Sequence, residues 1–155
     1  MNERRRQANS RRRFLLAAGG VAAVLAVEPA DATVAEMSDA MRKVVGGAPV
    51  AKGRVTLELP PLVDNGNTVA LTVRVDSPMT ARDHVKTIHV FTEKNLQPNV
   101  ATFRLGPRAG RASVATRIRL ADTQTVVALC EMSDGTFCSG SADVVVTLAA
   151  CLEEL

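Results

Sequence analysis

The sequence predicts a mainly β protein: an immunoglobulin-like antiparallel β-sandwich with a short N-terminal helix. Seven short segments with alternating or β-branched character recur between residues 55 and 148. Clusters of Gly, Pro, Asn and Asp separate them at regular intervals, as turns do in an all-β domain. A stretch of helical periodicity precedes the first of these segments.

Residues 34–45 place Val34, Met37, Met41, Val44 and Val45 at the spacing of an amphipathic helix, and Gly46-Gly47 stops it. Residues 48–52 read as a linker. Residues 55–59 alternate as a half-buried strand does, and Pro60-Pro61 ends the run. Residues 63–67 are turn chemistry, with Gly66 able to take a positive φ. Residues 68–76 alternate again until Ser77-Pro78. Residues 84–92 give a strand containing Val85, Ile88, Val90 and Phe91, and residues 95–99 a loop around Pro98. Strands follow over 100–105 and, after the Gly106–Gly110 turn, over 112–120, with Arg117 and Arg119 on one face. The last two, 125–132 and 136–148, are joined by Ser133-Asp134-Gly135, a hairpin signal.

The first 32 residues have a different character. Residues 1–13 are polar and carry six arginines; residues 14–27 are apolar and small; Glu28-Pro29 then leads to Ala30-Asp31-Ala32. This is the layout of a cleaved export signal, with small residues where signal peptidase needs them and the cut placed between Ala32 and Thr33. Ser10-Arg11-Arg12-Arg13-Phe14-Leu15 follows the twin-arginine pattern, in which Arg11, Arg12 and Phe14 are the marked positions. A stable membrane anchor is disfavoured, because fourteen apolar residues fall short of the roughly 20 a spanning helix needs. The expected location is therefore the periplasm. Domain boundaries follow: 1–32 as signal, 33–148 as the sandwich, and 149–155 as a C-terminal arm.

Charge bears on the partners. The chain has 19 basic and 16 acidic residues, but six of the former and three of the latter lie in the first 32, leaving thirteen of each beyond. The basic character belongs to the signal, and a nucleic-acid partner loses its main support.

No catalytic constellation emerges. The two histidines, His84 and His89, are five apart, which an ideal strand places on opposite faces, so they read as surface or edge residues rather than a metal pair. No phosphate-binding loop or nucleophile elbow is present, and the carboxylates are scattered. No catalytic residue, metal site or cofactor is expected. Cys130 and Cys138 flank the hairpin turn. A two-residue loop sets them on opposite faces, whereas a three-residue loop over 133–135 brings them opposite each other and permits a disulfide. Two unpaired packing residues is the favoured reading. Cys151 follows the last predicted strand, near the end of the sequence, where chains are usually mobile and exposed. A thiol so placed can reach into another protein's active site; an incidental thiol or an interchain disulfide remains an equal alternative.

Residues 64–148 resemble SoxY, the sulfur-carrier subunit of the thiosulfate-oxidising system. The likeness rests on Asn65-Gly66-Asn67-Thr68-Val69, Val75-Asp76-Ser77-Pro78-Met79, His89-Val90-Phe91, residues 106–112, residues 116–121 and Glu131-Met132-Ser133-Asp134-Gly135. The resemblance implies a twin-arginine signal, a helix and sandwich, a heterodimer with a SoxZ-like β-sandwich partner, and a C-terminal arm whose cysteine holds a sulfur intermediate. That cysteine aligns with Cys151. The family's arm is G-G-C-G-G, but this one reads Ala149-Ala150-Cys151-Leu152-Glu153, similar to SoxY-related proteins with an A-A-C-I-E arm. Alanine, leucine and glutamate restrict a backbone that glycine leaves free, and the acids beside the thiol disfavour a thiolate. The expectation is a non-enzymatic periplasmic sulfur carrier, with Cys151 as attachment point and sulfur-oxidising enzymes docking on the arm. The sulfur species or the enzymes are expected to differ from those of a glycine arm. The rival reading is a non-catalytic interaction or assembly protein with an incidental or bridging terminal cysteine; a thiol enzyme is weaker still, lacking base and acid partners.

Overall fold

The computed structural model describes residues 33–148. The signal residues Arg11, Arg12, Phe14 and Ala32, and the arm residues Ala149, Ala150, Cys151, Leu152 and Glu153, lie outside the described residues.

Helix α1 (Val34–Val45) has the predicted bounds. Thr33 is its N-cap, and a capping box closes its first turn: the Thr33 hydroxyl accepts from the Glu36 N–H, and the Glu36 carboxylate accepts from the Thr33 N–H. Gly46 ends the helix in the left-handed region at φ 62°. Met37 is buried, and with Met41, Val44 and Val45 it packs on Phe91, Leu129 and Phe137. Val34, which the periodicity placed on the apolar stripe, is exposed.

Nine strands follow: β1 (Val50–Lys52), β2 (Val55–Glu58), β3 (Leu62–Val63), β4 (Val69–Val75), β5 (Val85–Thr92), β6 (Asn99–Arg104), β7 (Ala112–Ile118), β8 (Gln124–Met132) and β9 (Phe137–Val146). The larger sheet runs β1-β9-β8-β5-β6, with β3 also on β9; the smaller runs β2-β4-β7. Their facing sides share one core, in which Leu71, Val73, Ile88, Val90, Val126 and Val144 are essentially inaccessible. Helix α1 covers the outer face of the larger sheet, so that sheet is apolar on both faces. Strand β5 shows the consequence, with six of its eight residues buried.

The predicted sandwich and helix are both present, with two corrections. The segment read as a linker contains β1, and the segment read as turn chemistry begins with β3. Both pair parallel to β9, β1 along Phe137–Ser139 and β3 along Val145–Val146, so the sandwich is antiparallel with two short parallel additions. Neither shows a period because each is a two- or three-residue edge whose pairing with β9 comes from distant contacts rather than local preference. Between the two sheets, β9 passes so close to β2 that a Cβ on Gly140 would overlap the Val55 carbonyl oxygen.

Candidate functional site

Strand β9 ends where the arm begins, and that junction is tied down by backbone hydrogen bonds. The Val145 N–H donates to the Pro61 carbonyl at 2.9 Å, and the Thr147 N–H to the Val63 carbonyl at 3.0 Å. The Thr147 hydroxyl lies 3.4 Å from the same Val63 oxygen and 3.2 Å from that of Asp64. The Gly66 N–H donates to the Leu148 carbonyl at 2.9 Å, and the Gly66 carbonyl accepts from Leu120 at 2.8 Å. Gly66 thus serves through its backbone polar groups, and it is not among the positive-φ glycines. The turn is held by Asn65, whose side-chain oxygen accepts from the Asn67 N–H at 2.9 Å.

A second network stiffens this end of the sandwich. Gln124 is buried, and its side-chain oxygen accepts from the Lys94 N–H at 2.8 Å while its amide nitrogen donates to Asn95 and to the Asp122 carbonyl. Asn95 accepts from the Ala121 N–H and donates to the Arg119 carbonyl. The Lys94 ammonium binds Asp122 at 2.8 Å, and that hydrogen bond holds the Asp122 carboxyl below its usual range. Loops 93–98 and 119–124 are therefore locked together beside the arm's root. From Leu148, three residues of chain reach Cys151, which limits its Cα to roughly 11 Å from a fixed point, at 3.3–3.6 Å per extended residue.

The other sequence-selected residues lie elsewhere. The hairpin has the three-residue loop: the Met132 N–H donates to the Thr136 carbonyl at 2.9 Å, the Gly135 N–H to the Met132 carbonyl at 3.1 Å, and Gly135 sits at φ 82°. Cys130 therefore faces Cys138 across the ladder. Both are buried and free, and they face the core between the sheets. His84 sits beside the Thr80 carbonyl and His89 beside the Thr102 hydroxyl, each at 3.1 Å, so the two rings have separate partners. Burial lowers the pKa of His89, with Glu131 opposing and Arg104 assisting. Among the described residues no cluster of three or more His, Cys, Asp or Glu could hold a metal ion. No helix among them is long and apolar enough to cross a membrane.

The fold and this junction define a class: a small immunoglobulin-like sandwich whose last strand delivers a short cysteine-bearing segment from a fixed root. The family model described as "Sulfur oxidation protein SoxY" matches residues 41–151. The chain belongs to the SoxY family. The solved structure of the sulfur carrier protein SoxY from Chlorobium limicola f thiosulfatophilum is 26% identical; the match covers 75% of this chain and 100% of that one, with a TM-score of 0.63. A superoxide reductase (neelaredoxin) from Ignicoccus hospitalis shares the fold alone, at 12% identity over 75% of this chain and 94% of that one, with a TM-score of 0.54. A comparison with curated proteins finds no match.

Proposed function

We propose that the chain is a periplasmic carrier that holds a sulfur intermediate covalently on Cys151 and presents it to sulfur-oxidising enzymes. The observation that carries this reading is the clamped root: Thr147 and Leu148 are bonded to the Val63–Gly66 turn, so the segment leaving Leu148 projects from a fixed origin. A substrate on a short tether of fixed origin is held at a high effective concentration for any enzyme docked beside it. The family match supports the reading by running through the root as far as residue 151, which is Cys151. The similar Chlorobium protein is itself described as a sulfur carrier.

The arm's own residues set its specificity. Ala149, Ala150 and Leu152 add side-chain bulk on both sides of the thiol, and Glu153 adds an anion. Such an arm suits an enzyme channel wider and less anionic than one shaped for glycines, and a sulfur adduct of low charge. A SoxZ-like β-sandwich partner holding the body would leave the arm free to visit such enzymes.

Export by the twin-arginine route is part of the same proposal. Thr33, the first residue after the proposed cut, is the N-cap of α1, so cleavage there retains the whole capping box, and a cut one residue later would remove it. The test is a chromosomal Cys151→Ala strain. The proposal predicts that it loses oxidation of the reduced sulfur compounds the wild type consumes, while the exported protein stays at normal abundance. Undiminished oxidation would contradict it.

A further inference from the structure

The hairpin end of β9 holds a second pair of sulfurs that the carrier reading does not use. Cys130 and Cys138 are direct cross-strand partners, 0% and 3% exposed. The ladder fixes the kind of pair. Met132 and Thr136 are hydrogen-bonded, and bonded pairs recur every second residue, so Cys130 and Cys138 form the next one. In such pairs the Cα atoms stand about 5.5 Å apart, wider than the roughly 4.5 Å of the non-bonded kind. A disulfide spans Cα atoms roughly 4.4–6.8 Å apart, so this pair stands at a spacing that one can bridge. The two thiols are free and directly opposite each other.

The surroundings are built of soft and cationic groups. The Met132 thioether sulfur lies 3.6 Å from the Cys130 sulfur. Arg54 lies in the corner where the chain crosses from β1 to β2, with Gly53 and Arg54 both left-handed at φ 97° and 61°. Arg54 is fixed there by its Nε–H bond to the Asp76 carbonyl at 2.9 Å and by Asp83 at 3.9 Å, and its charge favours the thiolate on both cysteines. A non-glycine residue held in the left-handed region is strained backbone, kept because the rest of the corner fixes it. The corner follows β1, a three-residue exposed edge strand that pairs with β9 at Cys138 itself.

We propose that Cys130 and Cys138 are a redox-active dithiol, which closes to an intramolecular disulfide by exchange with an external disulfide and is reopened by external thiols. Release of β1 and the Gly53–Arg54 corner gives a small reagent access. Cys138 attacks first. The hydrogen bond from Cys130 brings its pKa down to about 7, with burial opposing and Arg54 assisting, while the bond to Cys138 and burial push Cys130 up. The Cys138 thiolate displaces one thiolate from the external disulfide and becomes a mixed disulfide. Cys130 then gives its proton to that leaving thiolate and attacks the Cys138 sulfur, releasing the second thiolate, which takes up the proton first lost by Cys138. Two protein thiols and one external disulfide become one protein disulfide and two external thiols, and the electrons balance.

Cys151 cannot take part within one chain. Ten residues of strand separate Cys138 from Leu148, about 33 Å at 3.3 Å per residue, and three more residues bring the arm back by only about 10 Å. The experiment therefore uses the Cys151→Ala protein, so its failure leaves the carrier proposal untouched. The folded, reduced protein is equilibrated in glutathione buffers of graded ratio, quenched with acid, alkylated in denaturant and weighed intact. The expected result is a fall from two alkylated thiols to none in one step, in a monomer lighter by two hydrogens, with its midpoint inside the glutathione range. With Cys130→Ala added, oxidation stops at a glutathione adduct on Cys138. Two fully alkylated thiols at every ratio would overturn the proposal, as would oxidation solely to an interchain dimer or a stable glutathione adduct on the pair with Cys130 present.

Discussion

The two ends of strand β9 treat sulfur in opposite ways. At the hairpin end, Cys138 lies inside the sandwich, opposite Cys130 and within the field of Arg54. Its chemistry is set by what packs on it. At the other end, Val144 and Val146 still face the core, but Val145 and Leu148 are exposed, at 49% and 61%, and the chain leaving β9 is held by main-chain bonds to Val63 and Gly66. There the protein fixes a point of origin, and Cys151 follows it by three residues. One strand thus offers an internal site governed by burial and, by our proposal, an external one governed by the partner. A carrier gains from the separation, because the body can be rigid where the cargo must be transferable.

Substitutions separate the two ends, and the largest effect belongs to the middle. Gly140→Val drives a side chain into the Val55 carbonyl where β9 crosses β2, and is expected to cost about 3 kcal/mol or more. Thermal unfolding should show both ends lost together; local loss at one end alone would break the view of β9 as a single rigid strand. Gln124→Ala strips the Lys94 N–H and the Asn95 side chain of buried partners and is expected to cost about 2 kcal/mol. Amide exchange should quicken at Leu120, Ala121 and Val146 and stay slow at Cys130 and Met132. Equal loss of protection at the hairpin would show that the ends are not independent.

Smaller effects sharpen the picture. Thr33→Ala removes the hydroxyl that accepts from the Glu36 N–H and should lower stability by about 1 kcal/mol, read by denaturant unfolding of the chain beginning at residue 33. Thr147→Val removes only the hydroxyl's bonds to Val63 and Asp64, about 0.5 kcal/mol. If the root matters for presentation, the rate of sulfur transfer from Cys151 falls by more than stability does. The smallest effect is electrostatic. Burial lowers the His89 pKa from 6.5, so the folded state prefers the neutral ring. The unfolded chain takes up the proton first as pH falls, and stability that is complete above pH 6.5 is lost below it. His89→Gln should flatten the stability profile between pH 6.5 and 5 without changing it at pH 8.

What the sequence revealed depended on the range of the interactions involved. Helix α1 was legible to the residue because its periodicity and Gly46 are local signals, whereas the Thr33 cap emerged only from the structure. Strands β4, β5 and β8 were legible through alternation or β-branched runs. Strands β1 and β3 were not, since Val50-Ala51-Lys52 is wholly exposed and Leu62-Val63 is two residues beside Pro60-Pro61. Both exist only through pairing with a strand some 83 to 87 residues later in the chain. The cysteine register turned on whether Ser133 belongs to the loop, and the left-handed Gly135 decides it, with Asp134 accepting from the Thr136 N–H at 2.9 Å. The clamp on Thr147 and Leu148 left no sequence signal, because apart from the Thr147 hydroxyl its donors and acceptors are main-chain groups. Asn65-Gly66 was visible as a turn, though its role in holding the root was not.

The most direct test of the central claim is the intact mass of the mature protein purified from cells oxidising reduced sulfur compounds. The account predicts a sulfur-containing adduct on Cys151, removed by a reductant and absent from Cys151→Ala, on a chain that begins at Thr33. An unmodified Cys151 thiol under those conditions, or a disulfide-linked dimer as the sole modified form, would contradict it.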